Sequence, residues 1–69
     1  MSSTLILLDR DKLRTLDLSP FKLSRDAKIH SSNIYRILDG QVSPTLGAAR
    51  RIARSLGWPL DKIRFPKEL

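Results

Sequence analysis

The chain has 69 residues, 41% of them apolar and 29% charged, which is the balance of a globular domain rather than of a disordered or membrane-embedded segment. The absence of cysteine excludes disulfides, thiolate metal sites and cysteine nucleophiles, and the single histidine, His30, cannot assemble a His-rich metal centre, so no metal or other cofactor is expected. Thirteen Lys and Arg against seven Asp and Glu give a net charge of +6, the sign expected of a chain that meets a polyanion.

A chain this short buries only about 60% of its unfolded surface, so its core is marginal and a partner subunit is favoured. The longest apolar run, Leu5-Ile6-Leu7-Leu8, falls far below the roughly 20 residues of a membrane span and is shorter than a signal-peptide core. The expectation is one domain over 1–69, away from the membrane, in a reducing cytoplasmic compartment and associated with the nucleoid.

In chain order, Met1 to Thr4 is polar, and the apolar run that follows predicts a short strand or arm, so that 1–8 reads as an apolar arm. Asp9 or Asp11 can cap a brief first helix carrying Leu13 and Leu16 and ending near Asp17. A sharper start follows. Ser19 stands as N-cap, Pro20 at the first helical position, and Leu18 and Leu23 at the two positions of a hydrophobic staple, which predicts a second helix to about Ala27. Lys28-Ile29 forms a turn, and His30 or Ser31 opens a third helix that stops at Asp39-Gly40, where glycine supplies a left-handed residue. After Gln41-Val42, Ser43-Pro44 or Thr45 opens a fourth helix with Leu46, Ala49, Ile52, Ala53 and Leu56 at helical spacing, ended by Gly57. Trp58-Pro59 breaks the chain again, leaving Leu60, Ile63 and Phe65 for a last short helix or extended tail stopped by Pro66. The predicted fold is all-α, with four to five short helices.

Two short helices joined by a tight turn are the sequence form of a helix-turn-helix, here 19–40, whose second helix enters the major groove of DNA. At about 100° per residue, Ile34, Ile37 and Leu38 share one side of the third helix as a core face. The opposite side centres on Ser32 and Arg36, with Ser31, Asn33 and Tyr35 at its margins and no acidic residue. Arginine can pair bidentately with guanine, asparagine with adenine, and serine with donors or acceptors, so this face is chemically able to read bases.

The stretch from Ser19 to Gly40 resembles the lambda-repressor-like helix-turn-helix family of XRE and Cro type. Leu23, Ala27, Ile29, Ile34, Ile37 and Gly40 match its frame, and Ser43-Pro44-Thr45-Leu46 and Arg51 to Gly57 resemble its next helix, as Leu60 to Ile63 resembles the start of its fifth. The likeness spans about residues 18–63. It implies Ser31, Ser32 and Arg36 as base readers, with Asn33 and Tyr35 touching neighbouring bases or phosphates. It also implies phosphate clamps at Ser19 and Lys22 and at the loop of Gln41, Ser43, Thr45 and the amides of Thr45 and Leu46. Departures are Pro20, where the family often has glutamine, Lys28, where glycine is usual, Asp39, whose charge opposes phosphate, and the offset spacing of Leu13 and Leu16.

Arg50, Arg51 and Arg54 lie off the apolar stripe of the fourth helix, as a second backbone patch or a solvated face. Trp58, Leu60, Ile63 and Phe65 concentrate large apolar groups in 58–69, a candidate dimerisation tail that the arm could pair with in the same or the partner chain. No arrangement of catalytic groups is recognisable, so no enzyme activity is expected. The expected function is a sequence-specific, double-stranded DNA-binding transcriptional regulator, a small homodimeric repressor of phage, plasmid or restriction-controller type on a pseudo-palindromic operator. The alternatives are an antitoxin-like or other protein-interaction module with a protein partner, and a nonspecific nucleoid or RNA binder, which needs the charge alone.

Overall fold

The computed structural model describes residues 5–68; Met1 to Thr4, the polar start of the expected arm, and Leu69 lie outside them. In chain order the elements are β1 (Ile6–Leu7), α1 (Arg10–Thr15), α2 (Pro20–Ala27), α3 (Ser31–Leu38), α4 (Leu46–Leu56), a 3-10 turn at Leu60–Lys62, β2 (Ile63–Arg64) and a 3-10 turn at Pro66–Glu68. The molecule is thus a small, mostly helical bundle of four α-helices with one short strand pair.

Local chemistry accounts for each helix start. Asp9 accepts the Lys12 amide at 2.9 Å, Ser19 Oγ the Lys22 amide at 3.1 Å and Thr45 Oγ1 the Ala48 amide at 3.2 Å, so three helices begin on a side-chain cap. His30 occupies the equivalent position before α3 but makes no capping bond with its side chain, contrary to the expectation that it or Ser31 would cap. The helix ends share one device. Asp17, Lys28, Gly40 and Gly57 all have left-handed backbone, with φ of 58°, 58°, 78° and 73°. Behind each, an amide reaches back across the last turn: Leu18 to Leu13, Ile29 to Ser24, Gln41 to Arg36 and Trp58 to Ala53, all at 2.9–3.0 Å. This six-residue closure satisfies carbonyls that a helix end would otherwise leave bare.

The two ends of the described chain meet. β1 and β2 run parallel, with Ile6 opposite Ile63 and Leu7 opposite Arg64, and the Leu8 amide donates to the Arg64 carbonyl at 2.8 Å. The expected arm is therefore a strand paired within its own chain, and it modifies an otherwise all-α design. It also delivers Leu8, which is fully buried, into the core.

Every helix contributes to that core: Leu13 from α1, Leu23 and Ala27 from α2, Ile34, Ile37 and Leu38 from α3, and Ala49, Ile52 and Ala53 from α4. Ile63 and Phe65, each 2% exposed, close it from the tail. This corrects the assignment of Ile63 and Phe65 to a dimer interface, because both side chains fill the interior of a single chain. Trp58 and Leu60 are half-buried and pack against the same core. Two further positions depart from the predicted stripes. Leu46 is 63% exposed and Leu16 39%, since the first residue of α4 and the last residue before the Asp17 turn both project past the packed layer. Gly40 has a second role, as a Cβ there would stand 3.3 Å from Pro66 Cβ, where the tail crosses the end of α3. Among the described residues no helix is long and apolar enough to cross a membrane.

Candidate nucleic-acid interface

α2 packs against both α3 and α4, and α3 turns Ile34, Ile37 and Leu38 inward, which fixes the side that it presents outward. On that outward side Ser32, Asn33, Tyr35 and Arg36 are exposed and Ser31 is half-buried. This is the face predicted from periodicity. It carries hydroxyls, one carboxamide and one guanidinium, with no carboxylate of its own. Ser32 Oγ lies 3.5 Å from His30 Nδ1, so the histidine stands at the lip of this face, not in the core.

The start of α2 approaches the same region. Ser19, Pro20 and Lys22 line an open cleft of about 540 Å³ together with Tyr35 of α3 and with Arg10, Arg14 and Asp17 of α1 and its turn. Ser19 uses an oxygen lone pair to cap Lys22, and its own O–H remains available to an outside acceptor. Pro20 offers no amide. The cleft supplies cations instead, from Lys22 and from Arg10 and Arg14.

Arg10 and Arg14 were not identified from the sequence. One turn apart on α1, both are exposed, and that four-residue spacing is the signal that could have found them. Arg10 does more than add charge. Its guanidinium sits 4.7 Å from the centre of the Tyr35 ring and grips Asp39 through two contacts, Nη2 to Oδ2 and Nε to Oδ1, both 2.8 Å. The carboxylate that would repel phosphate at the end of α3 is thereby neutralised, and the ring at the margin of the exposed face is held from α1.

Gln41, Ser43 and Thr45 are exposed along the α3–α4 loop. They do not line the α1–α2 cleft. Ser43 faces a separate groove with Pro44, Leu46 and Leu60, and Thr45 caps α4 with an oxygen lone pair, which leaves its O–H available to an outside acceptor. The first amides of α4, including that of Leu46, stand where a helix leaves its N–H groups without carbonyl partners. Among the described residues no cluster of His, Asp or Glu is arranged to hold a metal ion.

No family model matches the chain, and no match is found among curated proteins or among solved structures.

Proposed function

We propose that this chain is a sequence-specific, double-stranded DNA-binding regulator on a lambda-repressor-like fold, with α3 as the helix that enters the major groove. The observation that carries the proposal is the outward side of α3, where Ser32, Asn33 and Arg36 stand exposed with no carboxylate among them. Two features support it. Asp39 at the end of α3 is held by Arg10, and the cleft beside the start of α2 adds Lys22 and Arg14, with Asp17 as the carboxylate in its lining.

Arg36 would pair with a guanine edge, Asn33 with adenine, and Ser31 and Ser32 with either partner class. Ser19, Lys22, Gln41, Ser43 and Thr45 would fix the register on phosphates, which positions the helix without specifying sequence. With no recognisable catalytic arrangement, the mode of action is occupancy of a promoter in the cytoplasm, and its control is the concentration of the protein. As a small repressor of phage, plasmid or restriction-controller type, it would act as a homodimer. The contact would run through the half-buried Trp58 and Leu60, with half-sites about one helical turn, roughly 34 Å, apart.

The test is selection from a randomised duplex library at about 150 mM salt, where purely electrostatic binding is already weak. An enriched inverted repeat is expected. Retention without enrichment would reduce the protein to a nonspecific binder, and failure to retain any duplex would overturn the proposal.

A further inference from the structure

Of the four α-helices, α3 alone begins without a side-chain cap. Asp9, Ser19 and Thr45 each accept an amide of the turn that follows, whereas His30 holds the same position before α3 and makes no such bond. The imidazole meets a different partner. His30 Nδ1 lies 3.5 Å from Ser32 Oγ, at the outer limit of a hydrogen bond, and both residues are exposed. Ser32 stands on the outward side of α3, so the single histidine of the chain touches a hydroxyl that faces base edges in the proposed complex.

Which atom donates across this contact depends on the charge of the ring. With Nδ1 bare, the Ser32 O–H donates to it, and the hydroxyl has only lone pairs to offer outward. With the ring protonated both nitrogens carry hydrogen, Nδ1–H donates to Ser32 Oγ, and the serine O–H is released. Histidine is the side chain that changes charge between about pH 5 and 8. No ion pair holds the ring in one state, since the two among the described residues, Arg10 with Asp39 and Arg14 with Asp11, leave His30 out. Arg36, the only charged residue of α3, stands more than one turn further along the helix. The last turn of α2 and its cap bring Arg25, Asp26 and Lys28, and α1 brings Arg10, already held by Asp39 and Tyr35. The tail turn that packs on α3 brings Lys67 and Glu68, beside Gly40 at the opposite end.

We propose that His30 sets which bases Ser32 reads, so that sequence preference changes with pH; this rests on the reading of α3 as the helix that faces DNA. With the ring neutral Ser32 accepts, and its partner is an amino group, cytosine N4 or adenine N6. With the ring charged Ser32 donates, and its partner is guanine O6 or N7 or thymine O4. Cytosine and guanine are the clean opposites, because adenine presents both kinds of group. A charge on His30 also strengthens binding to every duplex through the phosphates, but that leaves the order of preference among bases as it was. A change in that order is therefore the signature of the hydroxyl.

The test runs the duplex selection in parallel at about pH 8 and about pH 5.5, on either side of the histidine range, with the full chain, His30→Gln and Ser32→Ala. In the parent chain one base position is expected to move from cytosine or adenine toward guanine or thymine on acidification, by at least about fivefold in relative enrichment, with the other positions unchanged. His30→Gln, checked for helical content by circular dichroism, cannot titrate and is expected to give one consensus at both pH values. Ser32→Ala is expected to lose preference at that position at both. An unchanged consensus in the parent, or a change that survives in His30→Gln, would overturn the inference and leave the DNA reading standing. A second measurement needs no DNA. The nitrogen–proton correlation spectrum of His30 in the free chain is expected to show hydrogen on Nε2 and none on Nδ1 at about pH 8. Hydrogen on Nδ1 there would overturn the inference, since Ser32 would then never donate to the ring. Absence of a consensus at both pH values would overturn the reading of α3, and with it any base contact by Ser32.

Discussion

Arg10 of α1 and Asp39 at the end of α3 are joined by two contacts of 2.8 Å across 29 residues of sequence. The pair is partly exposed, with side-chain exposures of 48% and 35%, so its contribution to stability is small. Its consequence for binding is larger, because it decides whether the end of α3 presents a bare carboxylate. Arg10→Ala is expected to lower stability by no more than about 1 kcal/mol in a thermal melt, yet to weaken duplex binding beyond the loss of one cation. Asp39→Asn removes the repulsion at its source, so adding it to Arg10→Ala should restore part of the affinity. A double variant no better than Arg10→Ala alone would show that Asp39 does not face the duplex.

The shared left-handed closure makes a second, sharper prediction about stability. Lys28 and Asp17 adopt a backbone shape that glycine reaches without strain. Lys28→Gly is expected to stabilise by about 0.5–1 kcal/mol, a rise of several degrees in melting temperature for a domain of this size. Asp17→Gly should gain less, because aspartate tolerates this region better than lysine does. Gly40→Ala should go the other way, since it combines strain at φ 78° with a Cβ placed 3.3 Å from Pro66. A melting temperature for Lys28→Gly at or below that of the parent chain would contradict the strain argument.

The paired chain ends carry a third. Leu8 and Phe65 lie in one core with 0% and 2% exposure. Leu8→Ala is expected to cost about 2–5 kcal/mol and Phe65→Ala about 3–5 kcal/mol, against a total of only about 3–10 kcal/mol for a chain of this length. Removal of residues 1–8 should therefore unfold the chain, seen as lost circular dichroism, rather than alter its association alone. A truncated chain that keeps its melting temperature would show that the strand pair is dispensable.

Readers and anchors on the interface should differ in kind. On a selected duplex Arg36→Ala is expected to cost about 1–3 kcal/mol and to relax preference at one base position, with little change on random duplex. Lys22→Ala should weaken both duplexes alike and flatten the dependence of affinity on salt. Equal losses for Arg36→Ala on the two duplexes would make Arg36 a phosphate contact.

The helices were legible where a residue type signals a boundary: Ser19 with Pro20, Thr45, Gly40 and Gly57 all mark ends found in the fold. The outward side of α3 was equally legible, because Ile34, Ile37 and Leu38 leave it no other orientation. The end of the first helix near Asp17 was legible, but its left-handed backbone was not, because aspartate tolerates that region without requiring it. The pairing of Ile6 with Ile63 was left open between one chain and two, since apolar pattern defines a strand but not its partner. For the same reason Ile63 and Phe65 looked like an interface when they are core. The role of Arg10 was out of reach because it depends on α1 lying across the end of α3, which no local pattern encodes.

In the proposed complex α3 turns its polar side to DNA. The most direct measurement follows backbone amide resonances of the full chain as a duplex from the library selection is added. Shifts are expected to concentrate at Ser32, Asn33 and Arg36, with Ser19, Lys22 and the Gln41 to Leu46 loop beside them and Arg50 to Arg54 unmoved. Shifts centred on Arg50, Arg51 and Arg54, with α3 silent, would contradict it.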